Sequence, residues 1–268
     1  MPMIYFISDA HLGSRVVKNG REHEQKVVAW LDSVKRDATA IYMLGDMFDF
    51  WFEYRMTVPK GYVRFLGKMA ELVDSGIEIH FFTGNHDIWT FGYLEKEIGV
   101  KVHQRGERLK IGNRWFYLAH GDLEHDESRT FRMMNALFHS RLAQALFSLV
   151  PSAWAQEAGY RWSKHNRIRE VESENAFRGE DNENIVMFSK KYATEHPETD
   201  FFVFGHRHIL VDLPISDCYQ GIAVSVPPER DKLRNDANRR VIILGDFVSL
   251  FTYGKFDGEQ FTLEHFSL

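Results

Sequence analysis

The stretch Met3-Ile4-Tyr5-Phe6-Ile7-Ser8-Asp9-Ala10-His11 begins as a short apolar, β-rich run and stops at a serine and a carboxylate. A run of that length and composition reads as a buried strand. The pattern recurs: residues 40–44 run into Gly45-Asp46, and residues 77–82 into Thr83-Gly84-Asn85. Between these runs lie two stretches with helical spacing. Residues 22–36 carry Val27, Val28, Leu31 and Val34 on one side, and residues 61–74 carry Val63, Leu66, Met69, Leu72 and Val73. Strand, helix, strand, helix, strand is an α/β signature. Further on, residues 115–119 end at His120-Gly121-Asp122 and residues 201–204 at Gly205-His206-Arg207-His208. Residues 241–253 and 260–266 read as antiparallel hairpin strands. Two packed sheets with helices outside are expected.

Composition agrees. The chain has 268 residues, 44% hydrophobic and 26% charged, which is ordinary for a globular protein and excludes fibrous and disordered classes. Its net charge of −5 offers no footprint for nucleic acid. Cys218 is the only cysteine, so no intrachain disulfide forms and a reducing compartment fits. The first apolar run meets Asp9 too early for a signal peptide. The nearest approach to a membrane span, residues 143–155, contains Gln144, Ser148, Pro151 and Ser152. A cytoplasmic location is expected.

Residues 129–169 interrupt the strand rhythm. Phe131, Met134, Phe138, Leu142, Ala145 and Leu149 recur at helical steps, and Met133, Leu137 and Phe147 widen the stripe, so the helix is apolar over more of its circumference than one-sided burial needs. The same window holds seven Lys and Arg and one acid, Glu157, a local +6 that leaves −11 for the rest.

The chemistry gathers at the strand ends: Asp9 and His11, Asp46 and Asp49, Asn85, His86 and Asp87, His120 and Asp122, His206 and His208. Ligands bind outside the carboxyl ends of strands in open α/β sheets, so these groups should converge on one rim. All are ligands suited to hard or borderline metal ions. One strand-end aspartate is usually a turn former, but five strand ends marked in this way are not explained by turns. His23, His80, His103, His139, His196 and His265 read as structural or surface groups, and His125 is left open.

Asp9-Ala10-His11, Gly45-Asp46-Met47-Phe48-Asp49, Gly84-Asn85-His86-Asp87, His120 and Gly205-His206-Arg207-His208 resemble, in order, the blocks D-x-H, G-D-x-x-D, G-N-H-[DE], H and G-H-x-H of the calcineurin-like metallophosphoesterases. The resemblance implies a four-layer α/β sandwich of two mixed sheets flanked by helices, spanning 1–268 as one domain. It implies two divalent metal ions about 3.5 Å apart, bridged by Asp46 and a hydroxide that attacks phosphorus. Asp9, His11 and His208 would hold one ion, and Asn85, His120 and His206 the other. His86 would donate a proton or hydrogen bond to the phosphoryl or leaving-group oxygen, with Asp49 as the carboxylate that orients it. Mn is the family expectation for the metal, while Fe, Zn, Ni or Co also suit this ligand set.

Protein Ser/Thr phosphatases would carry Arg and Gly after the Asp49 position, where Phe50-Trp51 stand here, and an Arg in place of Thr83. The run Gly-Asp-Met-Phe-Asp-Phe-Trp looks more like the UDP-2,3-diacylglucosamine diphosphatase group of the lipid A pathway, in which a helical insertion covers the site and receives two acyl chains. A lid at about residues 128–170 is expected accordingly, with Leu142, Leu146 and Phe147 facing acyl chains and Arg161, Lys164 and Arg167 facing phosphate. The implied partner is an amphiphilic nucleotide-sugar lipid, with peripheral contact at the cytoplasmic face of the inner membrane. Enzymes of that pathway often carry Arg where this chain has His86, so another amphiphilic or nucleotide phosphoester stays open as substrate. A scaffold that had lost catalysis would lack ligand residues, and every position is filled.

Overall fold

The computed structural model describes residues 3–124, 133, 136–173, 176–215, 218–219, 222–223 and 239–267; the side chains of 164–173, 218, 219, 222 and 223 are outside that description. The first sheet is built from β1 (Met3–Ile7), β2 (Ala38–Leu44), β3 (Glu78–Phe82) and β4 (Lys101–His103), all parallel. Crossovers between its first three strands are α1 (Gly20–Val34) and α2 (Val63–Asp74). The Asn19 side chain accepts from Glu22 N and caps α1, which buries Val27, Trp30, Leu31 and Val34. No side chain caps α2 from its own N-cap residue, Tyr62; instead Glu24 of α1 accepts from Arg64 N and Phe65 N. One buried carboxylate thus closes one helix and fixes it against the other.

The second sheet contains β5 (Glu107–Ile111), β6 (Arg114–Leu118), β7 (Phe201–Phe204) and β8 (Leu210–Pro214). Its remaining strand, β11 (Arg240–Leu244), lies between β7 and β8. Two short paired strands, β9 (Cys218–Tyr219) and β10 (Ile222–Ala223), precede it in the chain. Between the sheets lies an aromatic-rich core with Phe6, Phe82, Phe116, Phe201, Phe256 and Phe261. The helices α1 and α2 cover the other face of the first sheet, and α5 (Asn184–Glu195) supplies Ile185, Val186 and Ala193 to the core on the outer face of the second. Helix, sheet, sheet, helix is the four-layer α/β arrangement expected. No helix among the described residues is long and apolar enough to cross a membrane.

Two expectations are corrected. Residues 241–253 are not one strand: β11 pairs with β7 and β8, and β12 (Thr252–Phe256) returns to the first sheet beside β1, where β13 (Phe261–His265) completes the hairpin. The chain switches sheets because Gly245 takes a left-handed φ of +80° and the Asp246 carboxylate gathers the amides of Val248, Ser249 and Leu250. The apolar stripe expected over the lid is also divided. Its described part forms α3 (Arg141–Phe147) and α4 (Ser152–Ser173), broken before Pro151, which has no amide to continue a helix. Phe131 and Met134 lie outside the described residues.

Candidate active site

The carboxyl ends of β1, β2 and β3 meet those of β6 and β7 on one rim. Asp9 N donates to Gly45 O, Gly205 N to His120 O, and His206 N to Asp9 Oδ2 at 2.9 Å. Main chain at this rim is tightly wound. Asp9, His11, Asp46, His206 and His208 all have φ between 40° and 65°, a left-handed conformation that non-glycine residues seldom adopt and that concentrates at functional sites. The motif glycines answer to crowding: a Cβ at Gly84 would stand 2.2 Å from Asp46 Oδ1, and one at Gly205 2.4 Å from Asp9 Oδ2.

Donor atoms converge in three overlapping groups, Asp9/His11/His208, Asp9/Asp46/His120 and His11/Asp46/His86, each within 4.8 Å. His208 Nε2 lies 3.2 Å from Asp9 Oδ1 and 3.3 Å from His11 Nε2. Asp46 Oδ2 is central, 3.3 Å from His120 Nε2, 3.7 Å from His11 Nε2 and 3.9 Å from His86 Nε2. Asn85 Oδ1 is 3.2 Å from His120 Nε2, and the His206 ring is 5.0 Å from that of His120. All seven residues named as ligands in the sequence are therefore brought to one place.

Electrostatics and donor chemistry fit divalent ions. Burial alone would raise the Asp9 carboxyl, yet the imidazoles of His208 and His11 hold it well below the usual range; burial likewise opposes, and His120 and His86 outweigh it, at Asp46. His120 shows the reciprocal effect, disfavoured as a cation by burial but raised well above its ordinary value by Asp46. Burial, with the His120 imidazole, pushes His206 down to about 3, leaving a neutral ring with a free lone pair. Asp9 Oδ1 is buried and faces imidazole nitrogens, His208 Nε2 at 3.2 Å and His11 Nε2 at 3.6 Å. The outer nitrogens are oriented too: His120 Nδ1 is 2.9 Å from Leu44 O, His11 Nδ1 3.7 Å from Asp49 Oδ1, and His208 Nδ1 3.7 Å from Asp246 Oδ2. The Leu44 carbonyl can only accept, which puts a proton on His120 Nδ1 and aims its Nε2 inward.

His86 differs from expectation in how it is held. Its Nδ1 donates to the main-chain carbonyl of Asp49 at 2.8 Å, while the Asp49 carboxylate faces His11. Asp87, already noted at the third strand end, and Asp246 take parts that the sequence did not assign. Buried Asp87 accepts from Gly84 N, Asp46 N, Met47 N and Phe48 N, tying together the second and third strand ends; burial and the Asp46 charge raise its carboxyl to about 7. Asp246 was detectable, since Leu244-Gly245-Asp246 repeats Leu44-Gly45-Asp46 at the end of a strand.

Beside His86 opens a cavity of about 250 Å³, whose lining includes Asn85 and His86 together with the aromatic side chains of Phe50, Trp89, Phe147 and Trp162. Phe147 packs on Phe52 and Trp89. Leu142 and Leu146 do not line it: they are 71% and 59% exposed and face outward. Arg161 is exposed and donates to Glu157 at 2.7 Å. The side chains of Lys164 and Arg167, and all of His125, lie outside the described residues.

A family profile described as calcineurin-like phosphoesterase matches residues 2–210. The chain is 41% identical to the "UDP-2,3-diacylglucosamine hydrolase" of Porphyromonas gingivalis, over 97% of this chain and 96% of that one. It is 25% identical to the protein of the same name from Proteus mirabilis, over 81% of this chain and 88% of that one. Among solved structures, a dimetal phosphatase from Danio rerio aligns over 98% of this chain and 95% of its own, with a TM-score of 0.46 and 12% identity. Profile and identity over nearly the whole length agree with the ordered rim motifs, and the chain belongs to the calcineurin-like phosphoesterase family.

Proposed function

We propose that this protein hydrolyses the pyrophosphate of UDP-2,3-diacylglucosamine to UMP and 2,3-diacylglucosamine 1-phosphate. The observation that carries the reading is a shared lining: one cavity is lined by Asn85 and His86 together with aromatic side chains of the body and of the 128–170 lid, so a phosphoester and an apolar tail can be held together. The identity to the Porphyromonas gingivalis hydrolase supports the same substrate.

In this reading Asp9, His11 and His208 would hold one divalent ion and Asn85, His120 and His206 the other, with the Asp46 carboxylate available to both groups. Such ions, with manganese the favoured metal, supply an activated water and positive charge against the phosphoryl oxygens. His86 holds its proton at Nε2 for the phosphoryl or leaving-group oxygen when charged, with the Asp49 carbonyl fixing the ring. Trp162, whose ring centre lies 6.2 Å from that of His86, and Phe50 line the cavity on that side. Phe147 and Trp89 bind acyl chain, where each buried methylene contributes about 0.8 kcal/mol. The exposed Leu142, Leu146, Leu149 and Trp154 support docking of the lid on the cytoplasmic face of the inner membrane.

The test is incubation of Mn-loaded protein with UDP-2,3-diacylglucosamine and separation of the products. Release of UMP and the lipid 1-phosphate is expected. No turnover of this substrate, with a different amphiphilic phosphoester cleaved instead, would replace it.

A further inference from the structure

One ion-pair cluster joins the lid helix α4 to the loop between β1 and α1. Glu157, the only acid between residues 129 and 169, faces Arg15, whose Nη1 donates to Oε1 at 3.0 Å and whose Nη2 donates to Oε2. The same Oε1 accepts from Arg161 Nε. One carboxylate therefore gathers two guanidiniums, one from the body and one from the lid. Arg15 stands four residues beyond His11, over the ring of Tyr160 at 5.1 Å, and Tyr160 in turn shares a 2.8 Å hydroxyl contact with Tyr62.

Three features distinguish this cluster from a strut. The Arg15 and Glu157 side chains are each 42% exposed, and an ion pair so open to water adds little stability. Arg15 belongs to the same loop after β1 that carries His11, so the guanidinium is tied to the segment that supplies a candidate ligand. A guanidinium fork reads carboxylate and phosphate with the same bidentate geometry, so Glu157 occupies the forks as a phosphate group would.

We propose that Arg15, together with Arg161, binds phosphate oxygens of the substrate, and that Glu157 is an internal anion that fills these forks until substrate displaces it. The proposal rests on the reading of the protein as a hydrolase of an anionic phosphoester. An internal competitor has a consequence that a strut lacks. Removing it strengthens substrate binding, because the binding-competent arrangement no longer has to be won from Glu157.

The experiment compares Arg15→Gln, Glu157→Gln and the double variant, Mn-loaded and of full length, for KM and kcat on UDP-2,3-diacylglucosamine. Arg15→Gln should raise KM about tenfold, as expected for a lost charge-assisted contact, while Glu157→Gln lowers it about threefold or more. The double variant should behave as Arg15→Gln. A rise in KM in both single variants, or no change in either, overturns the proposal, whatever their melting temperatures. If the wild type does not cleave this substrate, the functional reading fails separately, and calorimetric binding of inorganic pyrophosphate decides for the cluster. Tighter binding by Glu157→Gln with weaker binding by Arg15→Gln sustains it, and any other pattern overturns it.

Discussion

Asp246 Oδ2 lies 3.7 Å from Nδ1 of His208, whose Nε2 lies 3.2 Å from Asp9 Oδ1. A carboxylate behind an imidazole raises its basicity and fixes the tautomer. Asp246→Asn keeps an oxygen for the amides of Val248 and Leu250 but removes the charge. Metal affinity, measured by competition with a chelator, should fall about 10- to 100-fold with the fold retained. Unchanged affinity would show that Asp246 serves only the turn.

Asp46 offers one oxygen to three imidazoles. In Asp46→Asn a neutral amide cannot offset two cations, and activity should drop at least ~10³-fold with loss of bound metal. Two metals per chain at a near wild-type rate would remove it from the centre.

His86 Nε2 is farther from Asp46 than the nitrogens of His11 and His120 are. On the proposed reading, in which His86 acts on the phosphoryl group, His86→Ala should retain both ions while kcat falls by about 10²–10⁴, the range for a lost general acid. The decisive measurement is metal content per chain beside kcat, and loss of one ion would make His86 a ligand.

The rim was legible because a buried strand leaves a plain trace, an apolar run ending in a polar group, and five such endings carried metal-ligand chemistry. Asp246 escaped because apolar residues resume at Phe247, so hydrophobicity ran on through a sheet switch that Gly245 and a side-chain-capped turn create. The orientation of His86 by the Asp49 carbonyl, and the left-handed backbone at Asp9 and His208, leave no mark on residue type. In the lid, helical spacing was continuous through residues 138–149, and the one trace of a division was that Phe147 stands off the stripe that carries Leu142, so that on the single helix Arg141–Phe147 the two turn to different sides.

That division predicts separable lid variants. Phe147→Ser opens the cavity wall and should lower kcat/KM on a diacyl nucleotide sugar at least tenfold while sparing a small chromogenic phosphodiester, since remote binding energy is lost only for the lipid. Leu142→Ser with Leu146→Ser should instead reduce sedimentation with anionic vesicles and leave turnover of micelle-dispersed substrate within about twofold. Equal losses on both small substrate and lipid in Phe147→Ser would mean that this residue only supports the fold.

Glu124 gives a pH-dependence away from the candidate ligands. Burial, with the charge of Asp122, raises its carboxyl to about 7 from an ordinary 4.5, while the Tyr117 hydroxyl donates to it at 3.1 Å. Between those values the folded chain binds a proton that the unfolded chain releases, so stability falls as pH rises from about 4.5 through about 7 and levels off above. A shift of that size corresponds to roughly 3 kcal/mol at most. Glu124→Gln keeps an acceptor for Tyr117 and cannot ionise. Urea unfolding of both proteins at pH 5 and pH 8, each without added metal, should show the variant gaining on the wild type at pH 8 only. An equal difference at the two pH values would mean that Glu124 is ionised in the folded protein throughout, and that Tyr117 and its surroundings solvate the charge.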